Sequence, residues 1–369
     1  MTASRYRMYN DNSFKLGLFG ANCSSGRAAN VLPERWMADW ASCATMATMA
    51  DEAGFDFILP IGRWKGYGGE TNFQGTTFET LTWATGLLAL TKNITVFGTV
   101  HAPLFNPMVA AKQIVTADHV GNGRFALNIV VGWNDPEFKM SGIQQRDHTD
   151  RYDYAEEWIA AMKQMWTQEG SSDFKSDYLH LQGLVCEPKP FGQTAPLIIN
   201  AGQSDAGRAF AMRCCNGFFT NFREASVERA AAFVKTFKAE AHASGRAIDV
   251  YTQGHVVCRP TRAEAEEYFR YMTTEGADWG ALEEALRLKD ITRENTPDFE
   301  ERLKALPPNN VGYPIVGSPD DIAEKFARIH GAGISGIAFS LVHYVKELPL
   351  LVQEVLPRLE RMGMRTSRA

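Results

Sequence analysis

At 369 residues, with 45% apolar, 11% aromatic and 22% charged side chains, the chain has an ordinary globular composition and room for one α/β barrel or two smaller domains. Disorder and collagen-like structure are excluded, and a net charge of −5 offers no global positive field for a nucleic acid or an anionic membrane. No apolar run reaches the length of a membrane span, residues 1–12 read as polar rather than as a targeting leader, and six cysteines without a Cys-x-x-Cys pair suit a reducing compartment. A cytoplasmic protein is expected.

In chain order, a strand-like run at 15–20 is followed by a helical pattern at 35–53, then by strands at 55–60 and 94–100. A helix at 107–120 leads to a strand at 124–131, a helix at 151–167 and a strand at 197–202. The second half repeats the alternation: helix 206–214, strand 217–221, helix 227–243, strand 250–258, helix 262–274, helix 320–330, strand 336–341 and helix 348–362. Phe57-Ile58-Leu59 and Ile129-Val130-Val131 are apolar throughout, as burial on both faces of a parallel sheet requires. Eight such strands, with no linker dividing the chain, predict one α/β domain over 1–369, a (β/α)8 TIM barrel rather than an open doubly wound sheet. Two stretches do not fit the repeat, 63–77 (Gly-rich and aromatic) and 279–313 (polar, with a Pro-Pro pair). Both are expected to be insertion or lid loops over the carboxyl ends of the strands.

Several motifs could carry chemistry. Gly331-Ala-Gly333-Ile-Ser-Gly336 matches G-x-G-x-x-G but follows a helix and precedes a strand, the reverse of the order that places a phosphate at a helix N-terminus. It reads as an ordinary loop, so no nicotinamide site is expected. Gly202-Gln-Ser204-Asp-Ala-Gly207 narrowly misses the nucleophile-elbow spacing, which leaves a Ser204 hydrolase as a rival reading. The same residues place Gly202 at a strand end and Ser204 at a helix start, where free N–H groups and the helix dipole favour a phosphate; an ordinary Ser cap is the plain alternative. Arg151 and Tyr152 open a helix at the barrel rim and could clamp the same anion. Asn128 interrupts an apolar strand and, if buried, must find a partner there. Thr99 and His101 end the neighbouring strand, and His101 is a candidate catalytic group against the commoner structural role of a lone histidine. No helix carries histidines at metal-ligand spacing, and no metal is expected.

Taken together, Lys65-Gly-Tyr-Gly-Gly69 with Phe73, Gly123-Arg-Phe-Ala-Leu-Asn-Ile-Val-Val-Gly-Trp133 with Pro136 and Glu137, Arg151-Tyr-Asp-Tyr154, Ser172-Asp-Phe-Lys175, Ala201-Gly-Gln-Ser-Asp-Ala-Gly207 and Gly317-Ser-Pro319 resemble the bacterial luciferase-like flavin monooxygenases. The resemblance is closer to the branch that opens the uracil ring than to the alkanesulfonate monooxygenases. It implies a TIM barrel using reduced FMN (FMNH2) delivered by a separate NAD(P)H-dependent flavin reductase, with molecular oxygen as co-substrate and a homo-oligomeric assembly, a dimer or tetramer. By position, Gly62 and Arg63 would lie against the isoalloxazine, Asn128 near its pyrimidine edge or reactive face, Glu137 beside it, and Arg151, Tyr152, Gly202 and Ser204 at the phosphate. Thr99 and Asn128 would line the oxygen pocket, and Trp64 and Lys65 would face the substrate. The implied reaction is oxygenation through a flavin peroxide of a nitrogen heterocycle with C–N cleavage, or alternatively of a sulfonate or sulfone. Gly62-Arg63 and Thr99-Val-His-Ala-Pro103 depart from the pyrimidine branch, which points to an altered substrate pocket around a retained cofactor site.

Overall fold

The computed structural model describes residues 7–223 and 226–366; the first six residues of the polar start lie outside it. Eight parallel strands close on themselves: β1 (Lys15–Phe19), β2 (Phe57–Leu59), β3 (Thr95–His101), β4 (Phe125–Val130), β7 (Leu197–Asn200), β8 (Gly217–Thr220), β9 (Asp249–Cys258) and β11 (Gly336–Ser340). β1 pairs with both β2 and β11, and the β8–β9 pairing completes the ring. Each of the eight expected runs is a barrel strand. β5 (Ser172–Lys175) and β6 (His180–Leu184) form a separate antiparallel hairpin, and β10 (Tyr313–Gly317) adds to the upper half of β9. Gly254 and His255 pair with β10 on one edge and β11 on the other, so β10 continues the wall above β8.

The helices are α1 (Trp40–Ala53), α2 (Thr80–Leu90), α3 (Pro107–Val120), α4 (Asp135–Ser141), α5 (His148–Thr167), α6 (Asp205–Cys214), α7 (Val227–Ala243), α8 (Arg262–Thr273), α9 (Trp279–Arg287), α10 (Phe299–Asn310), α11 (Pro319–Gly331), α12 (Tyr344–Leu350) and α13 (Leu356–Arg361). Local chemistry sets their ends. Asp39 caps α1 by accepting from Ser42 N, and Gly54 takes the left-handed conformation that ends it. Thr261 with Glu264 and Ser318 with Asp321 form capping boxes for α8 and α11. The helix expected at 348–362 starts earlier and widens into a π turn at Leu351–Val355, just before Pro357, which has no N–H to continue the α ladder.

The barrel interior is filled by Phe57, Phe97, Phe219, Tyr251 and smaller apolar side chains, with Met8 from the N-terminal 3-10 turn in the same cluster. Phe57 contacts Phe97 and Tyr251 edge-on at ring separations of 5.8 and 6.0 Å. Gly17 makes room for it, because a Cβ there would stand 2.3 Å from the ring. A larger core lies between strands and helices.

The two stretches outside the repeat come together over the carboxyl ends of β1 and β2. The 63–77 segment is a loop, whereas 279–313 contains α9 and α10 rather than open chain. Tyr67 and Phe73 of the loop pack with Leu282, Leu286, Phe299 and Leu303 of the two helices. Asp278 ties them by accepting from Glu70 N (3.0 Å), Thr71 N (2.8 Å), Thr71 Oγ1 (2.7 Å) and Ala281 N (3.2 Å).

At the opposite end of the barrel, Asp56 joins both ends of the chain. It accepts from Asn10 and Asn12 side chains (2.6 and 2.9 Å), from Leu16 N (2.8 Å) and from Arg365 Nη1 (2.6 Å). The Asp56 and Arg365 side chains are 0% and 5% exposed, so removing one leaves the other charge buried and unpaired. Asp56→Ala is expected to lower unfolding free energy by about 3–5 kcal/mol in urea titration; a loss below about 1 kcal/mol would show that the pair does not hold the termini.

Candidate active site

β3 and β4 run in register, with Thr99 opposite Asn128 near their carboxyl ends. The Thr99 hydroxyl donates to Pro60 O at 2.6 Å, so it can only accept from its other neighbour, Asn128 Nδ2, at 3.1 Å. That orientation leaves Asn128 Oδ1 buried without a hydrogen-bond partner. An unsatisfied buried amide oxygen is costly, and its position at the barrel mouth is where a ligand N–H would satisfy it.

The loop after β2 is held over this pair. Asn22, fully buried, accepts from Ile61 N (2.8 Å) and donates to Ile61 O (2.8 Å), fixing the backbone before Gly62. A Cβ on Gly62 would lie 2.7 Å from His101 Cε1 and 3.1 Å from Thr99 Cγ2, so only glycine lets the loop approach β3 this closely. Burial holds His101 down to about 4, with Arg63 pushing the same way and Glu137 opposing. The imidazole is therefore neutral near pH 7.

Beyond Gly62, Arg63 is enclosed by partners. It donates to Glu137 Oε1 (3.2 Å), Gln74 Oε1 (3.2 Å) and the Tyr67 hydroxyl (2.8 Å), and its guanidinium lies 4.8 Å from the Tyr67 ring centre and 5.8 Å from that of Trp133. Glu137, in the first turn of α4, also accepts from Trp64 N (2.8 Å) and Lys65 N (3.2 Å). Trp64 and Lys65 have exposed side chains on the rim.

A second polar group lies at the end of β7. Asn200 donates to Ile129 O (2.8 Å) and accepts from Gly202 N (2.8 Å), which turns the chain into α6. Ser204 caps that helix by accepting from Gly207 N at 3.1 Å, leaving the N–H groups of Asp205 and Ala206 without intrahelical acceptors. A Cβ on Gly202 would stand 2.2 Å from the Tyr152 hydroxyl. Burial raises the Tyr152 phenol, against hydrogen bonding with Ser204 and the charge of Arg151, so it remains a hydroxyl donor. Arg151 donates from Nη1 to Gly132 O, while its buried Nε has no partner.

The residues singled out in the sequence thus fall into two neighbouring groups, Gly62, Thr99, His101 and Asn128 in one, and Tyr152, Gly202 and Ser204 in the other. Arg151 bridges toward the loop after β4. Glu137 turns its carboxylate to the 63–65 backbone and positions that loop. Asn22, Gln74 and Asn200 escaped sequence reading; of these only Asn200, a polar residue closing an apolar strand, carried a local signal, while Tyr67 belongs to the Lys65–Gly69 motif that carries the resemblance. Ser204 Oγ meets Gly207 N and Tyr152, and no histidine among the described residues hydrogen-bonds it, so the hydrolase reading lacks its base.

Comparison with known proteins places this geometry. The chain is 29% identical over 350 residues to an FMNH2-dependent dimethylsulfone monooxygenase of Pseudomonas putida, covering 93% of this chain and 94% of that protein. It is 28% identical over 355 residues to a pyrimidine monooxygenase of Acinetobacter baylyi, covering 93% and 94%. Its fold matches a solved riboflavin lyase carrying modified FMN and riboflavin (TM-score 0.84, 19% identity, 96% of this chain and 93% of that one). It also matches a long-chain alkane monooxygenase (TM-score 0.82, 20% identity, 97% and 93%). The family model for luciferase-like monooxygenases matches residues 18–336, and the chain belongs to that family.

Proposed function

We propose that the chain is a monooxygenase that uses reduced FMN and molecular oxygen, with a separate NAD(P)H-dependent flavin reductase as its supplier, acting in the cytoplasm as a homo-oligomer. The observation that carries the reading is the buried, unsatisfied Asn128 Oδ1 beside Thr99, next to an unspent anion site at the start of α6. Both ends of FMN find the chemistry they need: donors for a phosphate, and an acceptor for a ring N–H.

In this reading Ser204, Tyr152, Arg151 and the first N–H groups of α6 hold the phosphate, and Gly202 keeps the space beside Tyr152 open. When bound, the reduced flavin supplies the electrons that activate oxygen. Asn128 orients the ring by accepting its N–H, and the Thr99 hydroxyl, fixed by Pro60 O, sets the amide's direction. Neutral His101 under Gly62 keeps that side of the pocket free of a positive charge, and the layer formed by 63–77 with α9 and α10 serves as the lid that excludes water. The substrate is a small organic molecule, a nitrogen heterocycle cleaved at C–N. The similarity to a dimethylsulfone monooxygenase favours an organosulfur compound as the second reading.

The test is an anaerobic titration with dithionite-reduced and with oxidised FMN, followed by aeration with uracil or dimethyl sulfone. Tighter binding of reduced FMN with an oxygen-dependent product is expected, and Gly202→Ala is expected to weaken FMN binding at least about tenfold by closing the phosphate site. No flavin binding in either redox state would overturn the reading. Asn128→Val is expected to fold normally by circular dichroism, yet lose product formation by about 100-fold; unchanged turnover would remove Asn128 from the site.

A pH dependence follows from two buried histidines, His101 held to about 4 and His255 to about 3, each mainly by burial. Both folded values lie below the unfolded one, so the unfolded chain binds more protons as pH falls below about 6.5. Their contribution is full above that pH and is lost on acidification. Urea titrations at pH 6.5 and 5 are expected to differ by roughly 3 kcal/mol for the pair, with about half of that removed in His101→Gln. A flat profile would mean that these imidazoles accept protons in the folded protein.

A further inference from the structure

Arg27 lies in the segment after β1, diametrically across the barrel from β7 and the start of α6. Its guanidinium sits 5.5 Å from the Phe19 ring centre, and Nη2 donates to Asn310 O at 3.0 Å. Among the described residues, the buried Nε and Nη1 find no hydrogen-bond acceptor and no carboxylate pairs with the guanidinium. Arg63, its cationic neighbour, is neutralised by Glu137, and Gln74 links the two segments, donating to Gly26 O at 2.8 Å while accepting from Arg63 Nε at 3.2 Å. Arg27 therefore carries a largely buried positive charge with only one carbonyl to stabilise it, an arrangement that is unfavourable unless something else supplies the negative charge.

That guanidinium lines a cavity of about 670 Å³ together with Asn221, Gln253 and Tyr313, between the carboxyl end of β8, β10 and α8. Among the described residues, the other groups with formal charge around the cavity are Arg223, Arg270 and Lys325 against one carboxylate, Glu266. Arg270 is paired with Glu275. The local balance is cationic although the chain as a whole is acidic, and a guanidinium with unspent donors is suited to a planar or tetrahedral oxyanion.

We propose that Arg27 reads an anionic group of the substrate, a carboxylate or sulfonate, so that among nitrogen heterocycles and organosulfur compounds this enzyme prefers the anionic members over their neutral counterparts. The proposal rests on the monooxygenase reading and places the anion beside Arg27, in the cavity between the carboxyl end of β8, β10 and α8. The test is calorimetric titration of the FMN-loaded protein, and of the flavin-free protein, with matched probes: orotate against uracil, and methanesulfonate against dimethyl sulfone. One anion of the two pairs is expected to bind about 10- to 100-fold more tightly than its neutral partner, identifying carboxylate or sulfonate as the group read. The preference is expected to vanish in Arg27→Gln and return in part in Arg27→Lys, with all three proteins melting cooperatively by circular dichroism. An anion preference that survives in Arg27→Gln, equal binding within both pairs, or no anion binding at all would overturn it. Normal FMN binding with no anion preference would defeat only the Arg27 assignment, whereas an Arg27-dependent anion preference in a chain that binds no flavin would defeat the monooxygenase reading.

Discussion

Glu137 gathers three hydrogen bonds on one oxygen, from the Arg63 guanidinium and the N–H groups of Trp64 and Lys65, and does so from the loop and helix that follow β4. The Arg63 and Glu137 side chains are 8% and 2% exposed, so the pair sacrifices most of its hydration. Such a pair contributes little net stability, because desolvation offsets the attraction, but it specifies geometry well. Here the geometry is a clamp. The loops after β2 and β4 are drawn together across β3, the strand that lies between them and carries Thr99 and His101. With Asn22 fixing the backbone at Ile61, the approach of Gly62 to His101 and Thr99 is determined from both sides.

The close approaches that follow are possible only where side chains are missing. Gly62 lies against His101, Gly132 has a positive φ of 75° with Phe138 beneath it, and Gly202 lies against Tyr152. Each glycine stands just past a barrel strand, so the backbone itself forms the rim and polar side chains from neighbouring strands reach between. This explains how Asn128 and Arg151 retain unused hydrogen-bonding atoms within otherwise well-satisfied surroundings. Their partners in the protein, Thr99 and Gly132 O, fix orientation and use up one side of each group. The remaining side faces the space that the glycines leave open.

All eight barrel strands were legible from runs of strand length alternating with helical segments, several of them apolar throughout because both faces are buried, and the helix starting after Ser204 was legible through its cap. What stayed hidden had no local signal. α2 is apolar nearly all round, packed against α1 and α3, so it shows no helical period. β10 contains a proline and alternates in burial, and α9 and α10 acquire their apolar contacts from Tyr67 and Phe73, more than two hundred residues away in the chain. Among site residues, Thr99, Asn128, Tyr152, Gly202 and Ser204 were visible as polar or glycine positions at strand ends or helix starts. The partner of Glu137 was not, because a carboxylate in the first turn of a helix looks like an ordinary favourable dipole interaction until the fold brings Arg63 to it. The resemblance implies that Glu137 lies beside the cofactor; in the fold its Oε1 holds the loop after β2.

The mouth of the barrel is thereby divided among three electrostatic environments. Among the described residues, the start of α6 has donors without a protein acceptor, the β3–β4 edge has an acceptor without a donor, and the segment after β1 has a cation without an anion. A structural role would have removed each imbalance at little expense, since a valine at 128 or a leucine at 27 would fill similar space without an unpaired polar atom. The three imbalances also differ in sign and kind, so no single protein rearrangement satisfies them together. A molecule with an anionic end and a ring N–H would answer the first two, and a separate negative charge would answer the third.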